Sequence, residues 1–130
     1  SYVVFNGSAN SLVGDNALFV EAGDSIRLFL GNGGPNLTSS FHVIGEIFDE
    51  VWVEAGELKN YNVQTTIIPA GGAAVAEFVV DVPGTYNMVD HAIFRAFNKG
   101  AIGQIVATGA EDHYVFTERT HIGPYNPYQD

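Results

Sequence analysis

The sequence has no cysteine. That excludes disulfides, zinc–thiolate centres, a cysteine nucleophile and any thiolate-ligated metal within the chain. It says little about redox compartment. Basic residues are scarce, 5 against 15 acidic ones, and the formal charge is -10. So acidic a chain is a poor partner for nucleic acid or an anionic membrane. Its surface charge serves solubility, or docks a basic partner protein. No apolar run reaches the ~20 residues of a membrane-spanning helix. An initiator Met, a basic n-region and a signal peptide are also missing. The chain opens at Ser1 straight into Tyr2-Val3-Val4-Phe5, and reads as a processed chain or a piece of a longer one.

Apolar residues make up 46% of the 130 and charged residues 15%. This length fits one domain that buries about two-thirds of its unfolded surface, and the composition favours a packed core over disorder.

The dominant period is two. Short runs rich in β-branched and aromatic residues alternate with Gly, Asn and Pro. Strands are predicted near Tyr2–Phe5, Ala17–Val20, Ser25–Leu30, Ser40–Ile44, Tyr61–Ile67, Ala73–Val80, Gly84–Val89 and Gly103–Thr108. Turn signals such as Gly31-Asn32-Gly33-Gly34-Pro35 and Pro69-Ala70-Gly71-Gly72 separate them. Strands at this spacing predict an all-β fold, a Greek-key β-sandwich. One segment, Ala92–Gly100, has helical spacing, with Lys99 in its last turn and Gly100 as the residue just past its end. It predicts one short helix before the last strand.

The composition shifts after Gly109, dividing the chain into a folded domain over 1–109 and a C-terminal arm over 110–130. Pro124-Tyr125-Asn126-Pro127-Tyr128 cannot form a regular helix. The arm is either a loose terminus or an extended segment whose Tyr rings pack on a neighbouring subunit.

Four histidines are candidates for chemistry: His42, His91, His113 and His121. His42 sits mid-strand, with Phe41 and Val43 directed to the opposite face. A strand histidine between apolar neighbours is either a hydrogen-bonded structural residue or a functional one. His91 follows Tyr86-Asn87-Met88-Val89-Asp90 at a strand end, where a rigid sheet aims side chains into a loop-lined site. Asp90, as the adjoining residue, is expected to point to the other side. His113 and His121 lie in the arm. Two histidines are too few to close a copper or zinc site, so a centre built on His91 needs ligands from elsewhere. The glycine-rich Gly31–Asn36 lacks the Lys and the helix of a phosphate loop. No Ser–His–Asp pattern is visible. Trp52 and the Phe residues read as core or interface packing.

Several segments, taken in order, resemble a known family: Tyr2–Gly7, Gly14–Leu18, Gly31–Leu37, Ser39–Asp49 and Asp90–Gly100. They are similar to the C-terminal, second cupredoxin domain of copper-containing nitrite reductases of the neisserial, outer-membrane type. The likeness runs over residues 2–109. It implies a cupredoxin-type sandwich from a two-domain subunit that forms a homotrimer. It also implies reduction of nitrite to nitric oxide, in the periplasm or attached to the outer membrane of a Gram-negative bacterium. The electron donor would be a small cupredoxin or a cytochrome c.

In that family a type 2 copper binds nitrite at a subunit interface. Its ligands are two His of one subunit's first domain and one His of a neighbour's second domain. The resemblance implies that His91 is this third ligand. His42 matches the non-ligand histidine that delivers protons with an Asp of the first domain. Ile44 matches the apolar side chain crowding the substrate, and Thr65 the residue that hydrogen-bonds the proton-delivering histidine. Many relatives carry Glu at the position of Gln64, which bears on the proton network. The type 1 copper belongs to the first domain, and its Cys ligand cannot come from this chain. Alone, the chain is expected to be inactive. The alternative is a non-catalytic cupredoxin-like assembly module that binds no copper by itself. A domain of another multicopper oxidase is disfavoured, because the His-Cys-His pattern of such domains is absent.

Overall fold

A computed structural model describes residues 1–112 and Val115. Nine strands form two sheets among the described residues. In chain order they are β1 (Leu18–Glu21), β2 (Ser25–Gly31), β3 (Ser39–Val43), β4 (Phe48–Trp52), β5 (Lys59–Val63), β6 (Thr65–Ile68), β7 (Ala73–Val79), β8 (Gly84–Asp90) and β9 (Ile102–Thr108). One short helix, α1 (Ile93–Phe97), lies between β8 and β9. A five-stranded sheet runs β1-β9-β8-β3-β6, and a four-stranded sheet runs β2-β7-β4-β5. All pairings are antiparallel except β1 with β9. The result is the expected cupredoxin-type β-sandwich, with its helix before the last strand.

The alternation read in the sequence is what builds the two layers. In β2, Ile26, Leu28 and Leu30 turn inward while Arg27 and Phe29 face out. In β7, Ala74, Ala76 and Phe78 are buried and the residues between them are not. Small alanines on this strand leave room for the larger rings: Phe48 meets Phe78 edge-on at 5.5 Å and stacks with Phe41 at 6.0 Å. Each such fully buried side chain stabilises the fold by about 1.5–3 kcal/mol.

The structure departs from expectation at four places. Tyr2–Phe5 is not a strand. It lies as irregular chain along the sandwich, with Val3 N–H donating to Lys99 O and Phe5 packed edge-on against Phe41. The strand expected over Tyr61–Ile67 is two strands in different sheets. Asn62 has φ +55°, and the chain crosses between the layers just beyond it. Asn is one of the few side chains that tolerates this left-handed region. Strand β4 was not expected, because Asp49-Glu50 interrupts its apolar character. The helix is shorter than its signal. The N–H groups of Gly100 and Ala101 turn back onto Ala96 O and Arg95 O, satisfying its last carbonyls, with Gly100 at φ +109°. Apart from 110–112 and Val115, the expected arm lies outside the described residues.

Candidate functional site

The site grows from the alternation of β3. Phe41 and Val43 are buried in the core, so His42 between them is directed to the outer face of the five-stranded sheet, where it is partly exposed. Two positions on, Ile44 follows the same parity and is 40% exposed. Its N–H donates to Asn87 O at 2.8 Å, which extends the β3–β8 pairing past the strand end. Thr65 of β6 sits directly across from His42 in the ladder.

The hydrogen bond of the His42 ring goes to the backbone, from Nδ1 to the carbonyl of Gln64. A carbonyl only accepts, so this contact selects the Nδ1–H tautomer and leaves the Nε2 lone pair free. Thr65, expected to hydrogen-bond this ring, is its register neighbour, and the backbone of the preceding residue makes the recorded contact. The side chain of Gln64 plays no part in that bond.

His91 is the first residue after β8, and it is exposed. Its N–H donates to Ser40 O at 2.7 Å, which fixes its backbone to the start of β3. Because β3 and β8 are neighbours, the two histidines meet: their ring centroids are 5.6 Å apart, with planes inclined at 59°. Sequence spacing alone does not reveal this pairing. Ile44 and Ile67 share the outer face of this sheet with His42, and both are exposed, as are Ile93 and Phe94 of α1. His113 and His121 lie outside the described residues.

Asp90 behaves as parity requires and points away from the His91 ring. Its carboxylate is buried and accepts from Arg95, Ser40 N–H and Ala92 N–H. Arg95 was not singled out from the sequence; its only signal is a lone charge within Ile93-Phe94-Arg95-Ala96-Phe97.

A second concentration of charge lies at the far end of β8. Burial first, then the Asp81 carboxylate, raises the pKa of Glu46 above the usual carboxylate range. Tyr86, whose hydroxyl donates to Val82 O at 2.6 Å, is raised by burial and then by Glu46 and Asp81.

No group of three or more His, Cys, Asp or Glu side chains comes together as a metal site among the described residues. The single accessible imidazole of His91, with His42 beside it, fits a shared copper centre that draws its other ligands from outside the described residues.

No family model matches the chain. A copper-containing nitrite reductase of Neisseria gonorrhoeae is 63% identical over 118 residues, which are 91% of this chain and 30% of the relative. Among solved structures, the copper nitrite reductase of Nitrosomonas europaea superimposes with a TM-score of 0.77 at 34% identity, over 86% of this chain and 41% of the other. The copper-containing nitrite reductase of Thermus scotoductus gives 0.76 at 36% identity, over 82% and 25%. The chain thus spans about a third of the length of the curated relatives it matches. By sequence and by fold it is similar to one cupredoxin-type part of the copper-containing nitrite reductases.

Proposed function

We propose that this chain is the second-domain part of a nitrite reductase that forms nitric oxide, contributing His91 as one ligand of a type 2 copper and His42 as the proton donor beside it. The observation that carries the reading is the meeting of the two imidazoles at the accessible edge of β3 and β8. The first cupredoxin domain supplies the remaining two histidines and a relay Asp. The exposed Ile44, Ile67, Ile93 and Phe94 are the surface that a neighbouring subunit covers in a homotrimer. The periplasm or the outer membrane is the proposed location, with a small cupredoxin or a cytochrome c as electron donor. The charge of -10 suits a basic donor.

Reduction of nitrite to nitric oxide takes one electron and two protons and releases water. Copper, when bound, supplies Lewis acidity and passes on the electron. This chain's residues do the rest. The Gln64 carbonyl holds His42 by Nδ1–H, so Nε2 is the atom that carries a proton to the departing oxygen. The imidazole can give up that proton and take up another between turnovers. Ile44 presents an apolar wall that narrows the orientations open to a small anion. Thr65 lines the opposite side of His42.

The test is the two-domain protein with artificial reductant. His91→Ala is expected to lose type 2 copper and activity. His42→Ala is expected to keep the copper and slow turnover by about 10²-fold or more, the scale of a lost acid–base group. Full type 2 copper in His91→Ala rejects the ligand assignment, and favours the non-catalytic assembly module.

A further inference from the structure

The proposed chemistry leaves the most deeply buried charge of the neighbourhood unused. Asp90 is 3% exposed, and a carboxylate removed from water is tolerated only with partners. It has four. Its Oδ2 accepts from Arg95 Nε at 2.6 Å. Its Oδ1 accepts from Ser40 N–H at 3.2 Å, Ala92 N–H at 3.2 Å and Arg95 Nη2 at 3.4 Å. Arg95 Nη2 also donates to Thr38 O at 2.8 Å. His91 lies between Asp90 and the Ala92 N–H that Oδ1 holds, and its own N–H donates to Ser40 O.

From this ring of bonds we infer that the Asp90–Arg95 pair is a positioning device for His91, setting its place relative to His42 before any metal is present. The inference rests on the reading of His91 as a ligand and adds residues that do not touch the metal. The reasoning is geometric. His91 is past the end of β8, where the ladder no longer constrains the chain. One carboxylate oxygen ties the residue after it to the β3 residue facing it. The guanidinium then ties that carboxylate to Thr38 and to α1. His42 stands on the same β3 strand, two residues from Ser40. The clamp therefore connects the two imidazoles through a short, fully hydrogen-bonded path. Arg suits the task, because its planar fork spans the carboxylate and Thr38 O together, which an ammonium cannot do with the same geometry.

The test uses the metal-free, 15N-labelled chain. In the unaltered chain the His91 amide is expected to be protected from hydrogen exchange, and a nuclear Overhauser contact is expected between the His42 and His91 rings. Arg95→Ala is expected to speed exchange at His91 and Ala92 by about tenfold or more, through local opening, with Val43 and Ile105 unchanged within about twofold. The ring-to-ring contact should fade in parallel. Arg95→Lys should restore part of the protection. If exchange rises equally at Val43 and Ile105, or does not rise at His91, the pair is ordinary packing and the inference fails. Should Arg95→Ala not fold, Arg95→Lys and Asp90→Asn decide by the same comparison of His91 with Ile105. Because no metal is involved, this outcome is separate from the ligand assignment. A copper site untouched by His91→Ala sinks the ligand role and leaves the clamp standing, whereas unchanged His91 exchange sinks the clamp alone.

Discussion

The rings of His42 and His91 stand 5.6 Å apart because β3 and β8, distant in sequence, are adjacent strands of the five-stranded sheet. The His42 ring is held by a backbone carbonyl, and the main chain of His91 is held to β3. A carbonyl in the crossing between the sheets takes Nδ1 of His42, and Ser40 takes the N–H of His91. That the two rings are neighbours is thus a product of strand topology.

The first prediction follows from the His42 contact. Nitrogen-15 spectra of the neutral imidazole should show Nδ1 protonated and Nε2 free, since the partner is an acceptor only. Gln64→Ala should leave that tautomer in place, because the bond uses the main chain. A dominant Nε2–H form would show that the carbonyl does not hold the ring in solution.

Much of the sandwich is legible in the sequence. Ser25–Gly31 and Ala73–Val79 alternate strictly, and their patterns pick out the inward faces that the structure shows. The crossing after Asn62 is not legible. Its residues have continuous strand character, and only the demand of two separate layers breaks them. Strand β4 escapes notice because adjacent carboxylates mask its period, although Glu50 is paired with Lys59 at 3.2 Å. The site was readable only through family resemblance. Taken singly, His42 and His91 each fit a bland structural role. The clamp on Asp90 could not be read at all, since three of its contacts reach residues of β3 or α1 that no local pattern brings near it.

The layer crossing can be tested at Asn62, whose φ is +55°. A β-branched residue there suffers the steric penalty of left-handed backbone, so Asn62→Val should lose about 1–2 kcal/mol in urea unfolding. Asn62→Gly removes that penalty and should stay within about 1 kcal/mol of the parent. Equal losses for the two variants would mean that the side chain, not the backbone angle, matters.

The outer face of the other sheet carries a different arrangement. Trp52 has Lys59 Nζ 4.5 Å and Arg27 Cζ 5.4 Å from its ring centre, while Arg27 also pairs with Glu77 at 2.9 Å. These groups are substantially solvated, so each contact is weak. A double-mutant cycle between Lys59→Ala and Trp52→Ala should return a coupling of about 0.5–1 kcal/mol, smaller at high salt. A coupling indistinguishable from zero at low salt would show that the cation does not use the ring.

Glu46 gives the pH dependence. Burial, then Asp81, raises its folded-state pKa above 4.5, with Asp49 adding in the same direction and a backbone hydrogen bond at Ile47 opposing. A raised acid binds its proton more tightly in the folded state than in the unfolded one. Its contribution to stability is therefore complete below about pH 4.5 and is lost as pH rises through the folded pKa. Above that window the ionised carboxylate is held against Asp81 at a cost. Glu46→Gln should consequently be more stable than the parent near neutrality, with the difference vanishing in acid. Asp81→Asn should shift the same transition to lower pH by removing the facing charge. Thermal unfolding across the acid-to-neutral range measures both, and a Glu46→Gln curve that parallels the parent at every pH would show that Glu46 titrates as an ordinary surface carboxylate.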